Sequence, residues 1–488
     1  MIYKKIILVS ILAAIIFNAE VNARVDNPRL LTDKSYDCSS LDSIIKTVIK
    51  PGMTNDEKAI AIYDFCRFIF YHFPYPVEEK SSIGPLKAIN VYGWSLCGGL
   101  HTVLGELYKK AGFEYRYRGW NNPGHTTIEV FYDGKWHYLD VFLCFYAWTL
   151  DKKTIAGQDD IIKNPDIALK AEVDKRGPPN ILSCGDPKES VVSGCKSSNI
   201  MKDWGGSISK SDGDYTLDYY LIPGQSLQLN WGKVSSKSFY GYFEKQFFCP
   251  QHTCGMKDFR THPVQGPLLE HYGPKSFDNG ILSWKPDLNN SSFLEDIETK
   301  ENIQVKNGKI LPLIPEKPAI LIMKMASPYV LINANVEVEF EREDSNNKVS
   351  FSTNKAVWND NMSELEKTVK GLYCYYVKFT TLKGIKSLKV ESLVQHNSRA
   401  LPFLVNGENK ITIKVKDPLA LSKNKLVVSY AYEEANAKSN RSQFNGRDIE
   451  YSEEKVITKE IDKSPYEFTV NVGGNTPPKM KYIKYEVK

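Results

Sequence analysis

Two short β-forming runs, residues 127–132 and 135–141, flank the dipeptide Asp133-Gly134. Asp-Gly between such runs is what a two-residue type I′ hairpin turn selects, because both turn residues must adopt positive φ. With these two in the turn, Tyr132 pairs with Lys135 and His125 falls opposite Phe142. Asp140 stands two residues from that partner, so it projects from the same face as His125. Diagonal neighbours of this kind lie roughly 7–8 Å apart at Cα, within reach of a side-chain hydrogen bond. The opposite face carries Ile128, Val130, Tyr132, Leu139 and Val141, an apolar set that must be buried. Slipping the register by one residue would expose that set and separate the His–Asp pair. No other stretch restricts the fold as tightly.

Two helices precede the hairpin. Thr54 with Glu57 forms a capping box ahead of Ala59, Ile62, Tyr63, Cys66 and Ile69, which recur at helical spacing. The second helix opens at Cys97. Leu100, Val103, Leu104, Leu107 and Tyr108 line one face, Lys109 and Lys110 fill the last turn, and Gly112 follows as a stop. A thiol at a helix N-terminus feels the positive end of the macrodipole and unpaired N–H groups, both of which favour thiolate. The same N–H groups suit an oxyanion, and Gly98 and Gly99 let a substrate approach the backbone. A thiolate nucleophile needs a base, and the base needs an orienting acid. Cys97, His125 and Asp140 supply these three roles. His101 shares a helix face with Cys97 and is a rival base, although a solvent-facing or supporting position suits it better. Glu129, Trp136 and Tyr138 share the His125 face and are candidates to line a substrate groove, with Trp94 and Trp120 as further aromatic candidates by proximity in sequence alone.

Ser95-Leu96-Cys97-Gly98-Gly99, the helix through Lys110, Ala111-Gly112-Phe113, His125, and Trp136-His137-Tyr138-Leu139-Asp140-Val141 together resemble the transglutaminase-like superfamily. The resemblance spans about residues 36–150. It implies a papain-related fold with Cys97 as nucleophile, His125 as base and Asp140 as orienting acid. The family includes protein cross-linking acyltransferases, cysteine proteases and peptide N-glycanases. Thr126-Thr127 departs from the pattern, since many members carry a small residue and then Trp after the histidine.

Residues 150–210 are rich in Asp, Lys, Gly, Pro and Ser and read as a long irregular connection. Residues 215–231 alternate around Pro223-Gly224, a hairpin signal. Beyond residue 300, β-rich runs at 320–325, 336–340, 373–380, 411–415 and 426–430 follow one another without intervening helices, as in a β-sandwich. The expected class is α+β, with a signal peptide at 1–23 and a transglutaminase-like domain at 24–160. A β-rich middle region at 161–300 and a C-terminal β-sandwich at 301–488 complete the plan.

The signal peptide rests on Lys4 and Lys5, an apolar run at 6–17 that is too short to span a membrane, and Val21-Asn22-Ala23 as a cleavage site. It implies a secreted or periplasmic protein with no membrane attachment after cleavage. The charge balance, 63 Lys+Arg against 58 Asp+Glu with no basic block, removes the electrostatic case for nucleic-acid binding. Nine cysteines in an exported chain leave one unpaired, and the helix-opening Cys97 is assigned as the free thiol. Cys38–Cys66, Cys184–Cys195, Cys249–Cys254 and Cys144–Cys374 are the pairings proposed for the rest. Cys249, His252, Cys254, His262 and His271 contain zinc-ligand types, but in an exported chain a local disulfide is preferred and no metal is assigned. No phosphate loop or dinucleotide fingerprint occurs, and no cofactor is expected. The expected partner is an extracellular protein, peptide or glycan. The leading expectation is amide hydrolysis or acyl transfer. The alternatives are a polysaccharide lyase using His125 and Tyr138, and a catalytically silent binding protein.

Overall fold

The computed structural model describes residues 24–72, 75–78, 81–172, 188–204, 206, 208–232, 234–235, 237, 278–436, 450–474 and 477–488. The signal-peptide segment, Cys184, and the Cys249, His252, Cys254, His262 and His271 cluster lie outside these residues. The class is α+β. A five-stranded antiparallel sheet runs Phe145–Tyr146, Lys135–Asp140, Gly124–Tyr132, Glu114–Asn121, Ser198–Met201. Its hairpin has the expected register, with Tyr132 opposite Lys135 and Glu129 opposite Tyr138. Asp133 and Gly134 take φ values of 49° and 79°, the two positive values that a type I′ turn requires. The helix Asn55–Ile69 begins on the full Thr54/Glu57 capping box. The Cys97–Lys110 helix packs between that helix and the sheet, and its residues from Gly98 to Tyr108 are all buried.

The stretch expected to be an irregular connection is instead partly helical. Gln158–Lys163, Asp166–Leu169 and Lys188–Lys196 are helices, and Ser198–Met201 adds the fifth strand beside Tyr117–Trp120. Each is too short for its period to show in sequence. Their apolar side chains, Ile161, Ile167, Ala168, Val191, Val192 and Cys195, close over Trp120, Tyr138 and Phe145 as a second core. Gly194 makes this approach possible, because a Cβ there would lie 1.9 Å from the Trp120 ring.

The remaining strands build a nine-stranded sheet, a four-stranded sheet, a three-stranded sheet and two two-stranded pairs. The four-stranded sheet lies on the large one, with Tyr375 Oη 2.8 Å from Ser392 Oγ across the gap. Leu321, Met323, Val377 and Phe379 meet Leu388, Val390 and Val394 in the shared core. The expected Pro223-Gly224 hairpin is not formed. Tyr220–Leu221 pairs with Val25–Asp26, while Gln225–Asn230 pairs with Asp278–Trp284 and with Lys479–Val487. The turn carries the chain from one sheet into another, which alternation alone does not reveal. Arg29–Thr32 likewise pairs with Gly407–Lys414. Strand pairing therefore crosses the positions 160 and 300 at which the sequence suggested boundaries.

The two halves are joined by buried polar contacts. Asn397 Nδ2 donates to the carbonyls of Ile89 (2.7 Å) and Ile69 (3.3 Å), and Arg399 Nη1 donates to that of Phe68 (2.7 Å). These acceptors stand at helix ends, where carbonyls lack intrahelical partners. Gly93, at φ 72°, admits the Asn397 side chain, which a Cβ would meet at 2.5 Å. Nearby, the buried Lys87 Nζ lies 3.1 Å from Glu78 Oε2, and Tyr92 and Tyr373 each donate to Glu78 Oε1 at 2.5 Å. Among the described residues no disulfide is formed, so the Cys38–Cys66 and Cys144–Cys374 pairings are absent. No described helix is long and apolar enough to cross a membrane. Asn397→Ala strands two buried carbonyls and is expected to cost about 1–3 kcal/mol, read from urea unfolding.

Candidate active site

Cys97 is the first residue of its helix and is half-buried. The hairpin brings His125 beside it, close enough that the thiol and the imidazole each shift the other's proton affinity. On the far side of the ring, His125 Nε2 lies 2.7 Å from Asp140 Oδ2. Nδ1 is thereby left to face the thiol. Asp140 has no solvent exposure, and it also accepts from Tyr138 Oη (2.8 Å) and from the Leu143 N–H (2.7 Å).

The charges follow from these contacts. Burial opposes the Cys97 thiolate, but the hydrogen bond and charge of His125, with the Thr126 N–H, outweigh it and lower the thiol from its ordinary value. Burial also opposes the imidazolium, yet the Asp140 carboxylate and the facing Cys97 push His125 up to about 10. Burial would raise Asp140, but His125 and His101 hold it well below the usual carboxylate range. The favoured state is a thiolate–imidazolium pair backed by a carboxylate.

The walls are aromatic. Trp120 meets the His125 ring at 5.0 Å and Phe142 meets it at 5.4 Å. Trp120 Nε1 donates to Gln158 Oε1 at 3.0 Å, which fixes the indole. Over the helix N-terminus, Trp204 lies so close to Gly98 that a Cβ there would be 2.2 Å from its ring. The glycine thus admits an indole rather than open space for substrate. Tyr75 packs on Trp204 at 5.5 Å, and burial together with the nearby Cys97 raises its phenol above the ordinary value.

The other residues singled out in the sequence do not line the thiol. Trp94 is buried against Tyr92, with ring centroids 5.2 Å apart. Glu129 is buried beneath Arg116 (2.7 Å) and Arg118 (3.6 Å) and accepts the Gln158 N–H at 2.8 Å, so it anchors the Trp120 wall. Trp136 is half-buried under the Arg116 guanidinium at 4.3 Å. Tyr138 is fully buried and supports Asp140 from behind. His101, expected to face solvent or play a supporting part, has no exposure and stands against Asp140 and His125. No sequence signal pointed to Tyr75 or Trp204, which approach from separate segments.

Among the described residues, His101, His125 and Asp140 have donor atoms within 4.8 Å of one another, close enough to share a metal ion. Each is already engaged: His125 and Tyr138 hold Asp140 Oδ2, the Leu143 N–H holds Oδ1, and His101 Nε2 is 3.2 Å from Thr127 Oγ1. The arrangement is a hydrogen-bonded relay.

No protein-family model, curated protein or solved structure matches the chain. The site stands on its own geometry.

Because its thiol is lowered by His125, Cys97 is expected to react with iodoacetamide at pH 6 on the order of ten-fold faster than free cysteine. The His125→Ala variant should lose that advantage, since it removes the cation. Trp204→Ala should accelerate labelling of Cys97 by uncovering the helix N-terminus. Mass-spectrometric rates for the Cys97 peptide check all three.

Proposed function

We propose that the protein is a thiol enzyme of the transglutaminase-like type, cleaving or transferring an acyl group from an amide. The observation that supports it most is the continuous chain Cys97–His125–Asp140, with the thiol at a helix N-terminus and the histidine–carboxylate bond at 2.7 Å. In this reading the Cys97 thiolate attacks the carbonyl carbon, and the oxygen takes up the electron pair of the C=O bond. The imidazolium of His125 then protonates the departing amine as the C–N bond breaks, which leaves an acyl-enzyme. Water or an amine gives its proton back to His125 while attacking the thioester, and the thiolate leaves. Asp140 keeps the ring oriented throughout. Export, with an extracellular protein or peptide as substrate, is part of this proposal and rests on the sequence.

The lyase alternative is weaker, because Tyr138, its candidate proton donor, is buried behind Asp140 and directs its hydroxyl at the carboxylate. A lyase would also keep its activity after thiol blocking.

Cys97→Ala is expected to abolish hydrolysis or amine incorporation on a panel of glutamine-containing and other peptide amides. Full turnover by that variant would sink the proposal. The rate should follow a bell. Its acid limb reports loss of the thiolate, and its alkaline limb falls toward pH 10 as His125 gives up the proton the leaving amine needs. Incubation with EDTA should leave turnover unchanged, because the relay uses its donors on one another.

A further inference from the structure

His101 lies in the same buried cluster, and the three roles assigned above make no use of it. It sits one helical turn after Cys97, and its side chain has no exposure to solvent. Its Nδ1 is 2.8 Å from the Cys97 carbonyl oxygen. A carbonyl can only accept, so this nitrogen carries a proton. Its Nε2 is 3.2 Å from Thr127 Oγ1 and 3.4 Å from Asp140 Oδ1. The Thr127 hydroxyl can turn either way, but the carboxylate can only accept. The contact with Asp140 is therefore attractive when Nε2 carries a proton too. The His101 and His125 rings meet edge to face at 5.6 Å, and their Nε2 atoms face different oxygens of one carboxyl group.

We propose that His101 is a positioning residue, protonated on both ring nitrogens, that clamps Asp140 at the oxygen His125 does not bond and ties it to the backbone of Cys97. Asp140 is then held at both oxygens: Oδ2 by His125 and Tyr138, and Oδ1 by His101 and the Leu143 N–H. Two anions, Cys97 and Asp140, face two cations, His125 and His101, so the buried cluster carries no net charge. An uncompensated buried charge is costly, and a fourth member of opposite sign removes that cost. The clamp also fixes where Asp140 stands relative to the nucleophile, since His101 is bonded to the residue that bears the thiol. The proposal takes its catalytic meaning from the thiol reading, but its structural core can be tested without it.

The test uses the full chain with its eight histidines labelled with nitrogen-15. In the wild-type protein both His101 nitrogens should carry protons, and the His125–Asp140 bond should give a far-downfield imidazole N–H resonance. A His101 ring with an unprotonated Nε2 overturns the proposal, and this measurement needs no variant. His101→Gln places an amide donor near the Nε2 position, and His101→Asn places one near Nδ1. At comparable thermal midpoints, His101→Gln should keep the downfield resonance, whereas His101→Asn and His101→Leu should lose it. Alkylation of Cys97 at pH 6 should slow roughly ten-fold or more in the last two, in line with misplacement of a catalytic group. An unaltered resonance and alkylation rate in His101→Asn overturns the clamp. A wild-type Cys97 no more reactive than free cysteine overturns the thiol reading, while the nitrogen spectra still decide the clamp.

Discussion

A carboxylate removed from water must be surrounded by donors or lose its charge, and Asp140 is where this structure meets that requirement. The last residue of one strand, it gathers His125 from the neighbouring strand, Tyr138 from its own, the Leu143 N–H from the following turn and His101 from the Cys97 helix. Sheet, helix and turn are thus held to one another through a single side chain. Each donor is itself fixed: His101 to the Cys97 carbonyl, and His125 between Trp120 and Phe142. The thiol's reactivity depends on this arrangement, because the charge that lowers it is held in place by Asp140.

The same logic governs the join between the two halves. Helix ends leave carbonyls without partners, and burying them requires donors from elsewhere. Asn397 and Arg399 come from the corner after the long strand Ile385–His396 and supply them to Ile69, Ile89 and Phe68. Glu78 and Lys87 form a second buried anchor, shared with Tyr373 from the four-stranded sheet. Glu78 lies three residues beyond Tyr75, so the segment that contacts the thiol is pinned to the β-rich half of the chain.

Local rules made some of the fold readable in advance. The hairpin register, both positive-φ turn residues, the capping box and the start of the Cys97 helix each depend on residues close in sequence. The Cys–His–Asp alignment followed because a strand's period of two leaves one choice once the turn is placed. What escaped was long-range. The helices between residues 158 and 196 are stabilised by a core shared with Trp120 and Tyr138 rather than by their own periodicity. Glu129 and Trp136 do share the site face, but Arg116 and Arg118 claim them. Face membership gave no information about which partners would arrive.

The amino-acid sequence by itself determined which side chains stand on which side of each element, since that depends on the pitch of a helix, the pleat of a strand and the φ values a turn demands. It placed Cys97 at a helix start and put His125 and Asp140 on one face. Tertiary structure decided everything that requires two distant segments to meet: that His101 turns inward onto Asp140, that Tyr75 and Trp204 lie over the thiol, and that Tyr220 and Gln225 enter different sheets. The physical reason is burial. A local pattern shows that a side chain needs a partner, and packing alone selects which of the available partners excludes the water.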